Sequence, residues 1–353
     1  MSHPARPHDH FGMRILRGLM ALSKFLAFLG MVLGIMLVGA ILKMLPVALA
    51  IRRHWLAHWN SLLCRFCLWA MRVRVDVHHN WSHSEASPSH RKTSADARDY
   101  LSAAQDLKPD SQFLSKNIDV KNGHPENALS TTSSITPQLI TKSKTENSSS
   151  QKSENPHSKL SKRPSFPSLI VANHMGMLDI LSINAFLPCL FVTSYELKET
   201  PVVGWLTEAG GCLFVERRSR QNIFNEVKNI AEALSQGVSV CIFPEAQSTN
   251  GEQVLPFKKS LLVAAAESQV PILPITINYL TIDDRLVTTE NRDYICWYGD
   301  QSFLGALWRL LTNWSMHIEL ILHTPCVMRS VEERREVTEE CYRKVSEAFR
   351  AIG

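Results

Sequence analysis

Apolar positions along the chain fall into three regimes. Over residues 25–42 they run on without a charge for about 18 residues, enough for a helix to cross most of a ~30 Å hydrocarbon core. Over residues 51–71 the run becomes a helical pattern. Trp55, Trp59 and Trp69 recur among Leu56, Leu62, Leu63 and Phe66, with Arg52, Arg53 and Arg65 between them. That pattern suits a helix at headgroup depth and equally one packed on a folded body. Residues 73–77 alternate as a strand does. From 82 to about 165 the period disappears among 19 serines and few aromatics. Such a composition buries too little surface to offset its ordering entropy, so a disordered insertion is predicted there. Beyond it, the short apolar run at 168–172 reads as a buried strand, those at 212–215 and 239–243 as strands, and the run bracketed by Pro271 and Pro274 as a strand edge. Residues 331–352, with Glu332, Glu333, Arg334 and Arg335 on the polar side, read as an exposed amphipathic closing helix. The expected map is a basic leader and anchor over 1–50, an interfacial helix and first strand over 51–81, the insertion over 82–165 and a catalytic domain over 166–353. The expected fold is α/β, a central mostly parallel sheet flanked by helices, with an N-terminal membrane helix.

Charge follows the same division. Residues 1–80 carry ten basic and two acidic side chains, 81–165 twelve and nine, and 166–353 sixteen and twenty-two. The excess of positive charge is therefore N-terminal, and a nucleic-acid partner, which favours a basic folded domain, is not expected. Arg14, Arg17 and Lys24 precede the apolar run, and Lys43, Arg52, Arg53, Arg65, Arg72 and Arg74 follow it. The larger downstream group points to a cytoplasmic catalytic domain on an uncleaved anchor. The run is too long for a signal peptide and ends at Lys43-Met44-Leu45-Pro46; a hairpin entering and leaving one leaflet fits as well. The eight cysteines include one CxxC, Cys64 and Cys67, inside an apolar helical run, with no second pair at zinc spacing. Reduced, buried thiols follow, and no metal is expected. His78, His79, His83 and His90 lack carboxylate partners and read as solvated loop residues.

The buried strand at 168–172 delivers Asn173-His174-Met175-Gly176-Met177-Leu178-Asp179 and then a helical beginning. The carboxyl end of a buried strand is where α/β folds place their chemistry. On one continuous helix, positions five apart lie about 140° around the axis. His174 and Asp179 therefore meet only if His174 stands in the turn and Asp179 in the first helical turns, a bend that Gly176 permits. An imidazole held by a carboxylate is a poised general base. The competing reading is an Asn173 helix cap with an incidental histidine.

Three further blocks follow in order: Gly211-Cys212-Leu213-Phe214-Val215-Glu216-Arg217, Phe243-Pro244-Glu245, and Val270-Pro271-Ile272-Leu273-Pro274-Ile275, with Lys198-Glu199-Thr200-Pro201-Val202-Val203-Gly204-Trp205 ahead of the first. With the NHxxxxD block at 173–179, this series resembles the glycerolipid acyltransferase family, nearest to the bacterial 1-acylglycerol-3-phosphate acyltransferases, over about residues 166–330. The resemblance implies catalysis by His174 and Asp179 without an acyl-enzyme, and no GxSxG nucleophile motif is present. It implies substrate binding by Asn173, Lys198, Gly211, Arg217, Pro244 and Glu245, with Arg217 on the acceptor's anionic head. It implies no cofactor, acyl-CoA or acyl-carrier protein as co-substrate, and a lysophospholipid acceptor in the membrane. The third block departs from the family's FPEGTR, reading Ala246-Gln247-Ser248 after Glu245. Lysophosphatidic acid is thus the first acceptor expected and a lyso-ornithine lipid the second; a catalytically decayed membrane-tethered lipid-binding protein is the non-enzymatic alternative.

Overall fold

The computed structural model describes residues 11–80, 164, 166–200, 203–216 and 222–353. Apart from Pro164, the insertion expected from residue 82 lies outside the described residues, as do His83, His90, Arg217, Arg218 and Arg220.

The chain opens with helices α1 (Phe11–Met44) and α2 (Leu49–Ala70), then strand β1 (Val73–Asn80). After β2 (Leu169–Ala172) come α3 (Met177–Phe186), β3 (Cys189–Ser194), α4 (Tyr195–Lys198), α5 (Val203–Ala209) and β4 (Leu213–Val215). Then follow α6 (Asn222–Ser235), β5 (Ser239–Ile242), α7 (Val263–Ser268), β6 (Ile272–Ile282) and β7 (Arg285–Leu286). The last elements are α8 (Phe303–Leu311), β8 (Met316–His323) and α9 (Arg334–Ala348). The sheet order is β1-β8-β6-β2-β5-β3-β4, with β7 hairpinned onto β6. Neighbours on the main path are parallel except β6 and β8.

Strand period places the two cores. Leu169 and Val171 of β2 join one cluster with Val227, Ile230 and Leu234 of α6, while Ile170 and Ala172 join the other with Leu178 and Leu181 of α3. A strand hydrogen-bonded on both edges and covered on both faces must be apolar throughout, as β2 is. In α6 the buried positions Val227, Ile230, Ala231 and Leu234 follow the 3.6-residue period, and Gly237 at φ +83° ends the turn beyond it. In α9, Val337, Cys341 and Val345 are buried and the charged face is exposed. None of the eight cysteines is in a disulfide.

The apolar run expected over 25–42 forms part of a longer N-terminal helix that begins within the basic leader. Helix α1 is 34 residues long and takes in Arg17 and Lys24. Arg17 pairs with Asp283 at 3.0 Å. Lys24, only 2% exposed, donates from Nζ to the carbonyls of Met71 (2.9 Å), Asn313 and Trp314 (3.3 Å). These cations fasten one end of α1 to the body, because a buried ammonium needs acceptors. Further along, Trp59 of α2 donates to the Gly34 carbonyl at 3.2 Å. A Cβ on Gly39 would stand 2.4 Å from the Ala209 carbonyl oxygen, so only glycine lets α1 meet α5. The opposite face of α1 is an exposed apolar stripe, Leu19, Leu22, Leu26, Leu33 and Leu37 among it. Among the described residues, 15–44 form the one helix long and apolar enough to cross a membrane.

Candidate active site

His174 lies in the turn leaving β2, and Asp179 sits at the third position of α3. The arrangement required by their spacing is present: His174 Nδ1 is 2.8 Å from Asp179 Oδ2. The same oxygen accepts the amides of Met175 (2.6 Å) and Gly176 (2.8 Å), while Oδ1 accepts the Tyr279 hydroxyl (2.6 Å). Asp179 is fully buried; four donors and the helix N-terminus hold its charge. With Nδ1–H directed at the carboxylate, Nε2 is the ring nitrogen that can take a proton. The imidazole stacks on Phe243, centroids 4.0 Å apart and planes 12° apart, and its side chain remains 17% exposed. Gly176 is needed for space rather than for φ: its backbone is extended (φ 173°), and a Cβ would come within 2.8 Å of the Ile295 carbonyl oxygen.

The loop after β5 closes on the same turn. Glu245 is 4% exposed; Oε1 accepts the His174 amide and Oε2 the Leu255 amide, both at 2.7 Å. Burial pushes this carboxyl up to about 7; the two amides oppose the shift and the Asp179 charge adds to it. Thr249 donates to the His174 carbonyl from its amide at 2.8 Å and its hydroxyl at 3.2 Å. Pro244 is buried, and its carbonyl accepts the Lys258 amide at 2.9 Å. Asn173, 1% exposed, braces β2 against β6, donating to the Ile277 carbonyl (3.0 Å) and accepting the Ile277 amide (2.8 Å).

The other expected substrate contacts stand apart from this knot. Gly211 turns the chain into β4 at φ +79°, where a Cβ would be 3.1 Å from Leu56 Cδ1. Lys198 is exposed at the end of α4, its ammonium 5.1 Å from the Phe214 ring centroid. Arg217 lies outside the described residues, directly after Glu216, whose amide donates to the Glu226 carboxylate. Two participants escaped the sequence reading: the Phe243 ring, though it opens the third block, and Tyr279, which sits beyond the fourth. The signal for Tyr279 was its position in β6, two residues past Ile277 on the same strand face. Among the described residues, no group of three or more His, Cys, Asp or Glu side chains could hold a metal ion.

Ala246, where the family pattern has glycine, takes φ +64°. A left-handed alanine costs about 1–2 kcal/mol, and glycine returns part of that in unfolded-state entropy. Ala246→Gly is therefore expected to stabilise the fold by about 0.5–1 kcal/mol, read as a raised denaturant midpoint in detergent. A lowered midpoint would show that the methyl group's packing outweighs the backbone strain.

The profile of the family described as Acyltransferase matches residues 148–278. The 1-acyl-sn-glycerol-3-phosphate acyltransferase of Neisseria gonorrhoeae is 30% identical over 185 residues, covering 52% of this chain and 68% of that protein. The lyso-ornithine lipid O-acyltransferase of Pseudomonas aeruginosa is 35% identical over 165 residues, 46% of this chain and 61% of that one. A crystal structure of the 1-acyl-sn-glycerophosphate acyltransferase PlsC from Thermotoga maritima aligns at 17% identity and TM-score 0.49, covering 94% of this chain and 95% of that one.

Proposed function

This chain belongs to the acyltransferase family and is a glycerolipid or lysolipid acyltransferase, and we propose that it esterifies lysophosphatidic acid from acyl-CoA or acyl-carrier protein, with His174 as general base. The observation that carries the mechanism is the His174–Asp179 contact of 2.8 Å at the carboxyl end of β2. Nε2 takes the proton as the acceptor hydroxyl attacks the thioester carbonyl, and the C–O bond forms. The tetrahedral intermediate then expels the thiolate, which recovers the proton, so neither an acyl-enzyme nor a resident cofactor is required. Asp179 holds the tautomer and supports the imidazolium.

The remaining assignments rest on the resemblance, with geometry qualifying two of them. Glu245 and Asn173 spend their polar atoms on backbone groups, so their role is to hold the turn around His174 in place. Arg217 is the proposed grip on the acceptor phosphate. Arg217→Ala should raise the acceptor KM about ten- to a hundredfold, the worth of a charge-assisted bidentate contact, and leave the donor KM nearly constant. A change confined to the donor KM would move Arg217 to the thioester side.

The second reading, a lyso-ornithine lipid acceptor, is favoured by Ser248 in the place of the family's arginine and by the 35% identity to the Pseudomonas aeruginosa enzyme. Labelled acyl-CoA offered with a panel of lysolipids to purified membranes tests both readings: the product that accumulates names the acceptor, and free fatty acid alone would refute acyl transfer. Ser248→Arg should improve turnover of the phosphomonoester selectively.

For the membrane we propose monotopic docking at the cytoplasmic leaflet, through the apolar stripe of α1 and the exposed Trp55, Phe66 and Trp69 of α2. A spanning α1 would have to pull Arg17 and Lys24 off their partners.

A further inference from the structure

The dyad has a third member that none of the four sequence blocks contains. The Tyr279 hydroxyl donates to Asp179 Oδ1 at 2.6 Å, while Oδ2 is occupied by His174 Nδ1 and two backbone amides. Tyr279 is 5% exposed, and its partner is fully buried, so the bond is shielded from bulk solvent. One feature of the fold aims it there. The register of β6 against β8 shifts between Tyr279 and Thr281, a bulge of the kind that re-aims a side chain beside an active site.

We infer that Tyr279 is a positioning residue that sets the basicity of His174 by controlling how much of the Asp179 charge reaches the imidazole. The inference rests on the proposed role of His174 as base. A hydrogen bond donated to Oδ1 draws carboxylate charge away from Oδ2, the oxygen that faces the ring. Without that donor the carboxylate holds the imidazolium more tightly, and His174 keeps its proton to higher pH, where it cannot act as a base.

The other titratable groups around the carboxylate are few. Glu245 faces it from the loop after β5, and the Cys296 thiol from the segment ahead of α8, with Arg292 and Asp293 behind that thiol. Burial and the Asp179 charge push the Tyr279 hydroxyl and the Cys296 thiol well up. Tyr279 therefore stays a donor throughout the range in which the enzyme is assayed.

The test uses the full chain in detergent micelles with Tyr279→Phe, which removes one oxygen atom and keeps the ring, and with 3-fluorotyrosine at position 279, a stronger donor of the same shape. The ring resonance of His174 in 13C-histidine-labelled protein, assigned by its loss in His174→Ala, is followed from pH 5 to 9. Turnover of acyl-CoA with 1-acyl-sn-glycerol-3-phosphate is measured over the same range. In Tyr279→Phe the titration midpoint and the acidic limb of kcat should both move up by about 0.5–1 pH unit, with either KM within about twofold, because only part of the worth of a hydrogen bond to the carboxylate is passed on to the imidazole. The fluorotyrosine protein should move both downward. A buried hydroxyl with a purely structural role would move neither. A midpoint unchanged in both variants, or displaced in the same direction in both, overturns the inference. Should the phenylalanine variant not fold, the sign of the fluorotyrosine shift decides alone. Failure of the parent reading looks different: His174→Ala would then turn over at the wild-type rate.

Discussion

His174→Ala is expected to lower acyl transfer by about 10²–10⁴-fold, the usual worth of a positioned general base, at nearly unchanged stability. The ring is not a strut: its side chain is 17% exposed and packs on one face against Phe243. The bonds that hold the turn run through the His174 backbone, its amide to Glu245 and its carbonyl to Thr249, and alanine keeps both. Initial rates and a denaturation curve on the same preparation separate the two effects. A well-folded variant turning over at the wild-type rate would remove His174 from the mechanism.

Asp179 should show the reverse coupling of stability and activity, depending on the replacement. Asp179→Ala leaves four buried donors without their acceptor: His174 Nδ1, the Met175 and Gly176 amides and the Tyr279 hydroxyl. The loss should be about 3–5 kcal/mol, with activity lost alongside. Asp179→Asn is gentler on the fold. Its carbonyl oxygen can occupy the Oδ2 position facing three N–H groups, and its amide can face Tyr279, whose hydroxyl turns to accept. Stability should then fall by about 1 kcal/mol, while turnover still drops about 10²–10⁴-fold because the imidazolium has lost its counter-charge. Denaturant midpoints and initial rates for the pair check this. Asparagine at the wild-type rate would show that Asp179 acts through geometry alone.

The parts legible in the sequence share a short range. The apolar runs at 168–172 and 239–243 became β2 and β5 because a strand with neighbours on both edges and helices on both faces admits few polar side chains. The meeting of His174 with Asp179 was legible for the same reason: five residues of turn and helix leave little freedom once Asp179 sits in the first turn of α3. Strands β3 and β8 carried weaker signals. Strand β8 lies between β1 and β6 and turns its polar residues His317 and Glu319 toward Asp76, His78 and Arg350. Those partners come from distant segments.

Period, charge segregation and the order of four blocks are local or additive properties, and they sufficed for the α/β class, the apolar N-terminus and the location of the dyad. Where a polar group spends its hydrogen bonds is neither local nor additive. Tyr279 reaches Asp179 across 100 residues of chain and Glu245 reaches His174 across 71. Lys24, which reads as a flanking cation before an apolar run, is buried beneath carbonyls 47 and 289 residues away. A buried polar atom must find a partner wherever the packed elements present one. Only the closed tertiary structure could therefore turn Glu245 toward backbone amides, draw α1 down onto the body and bring Tyr279 to the second oxygen of Asp179.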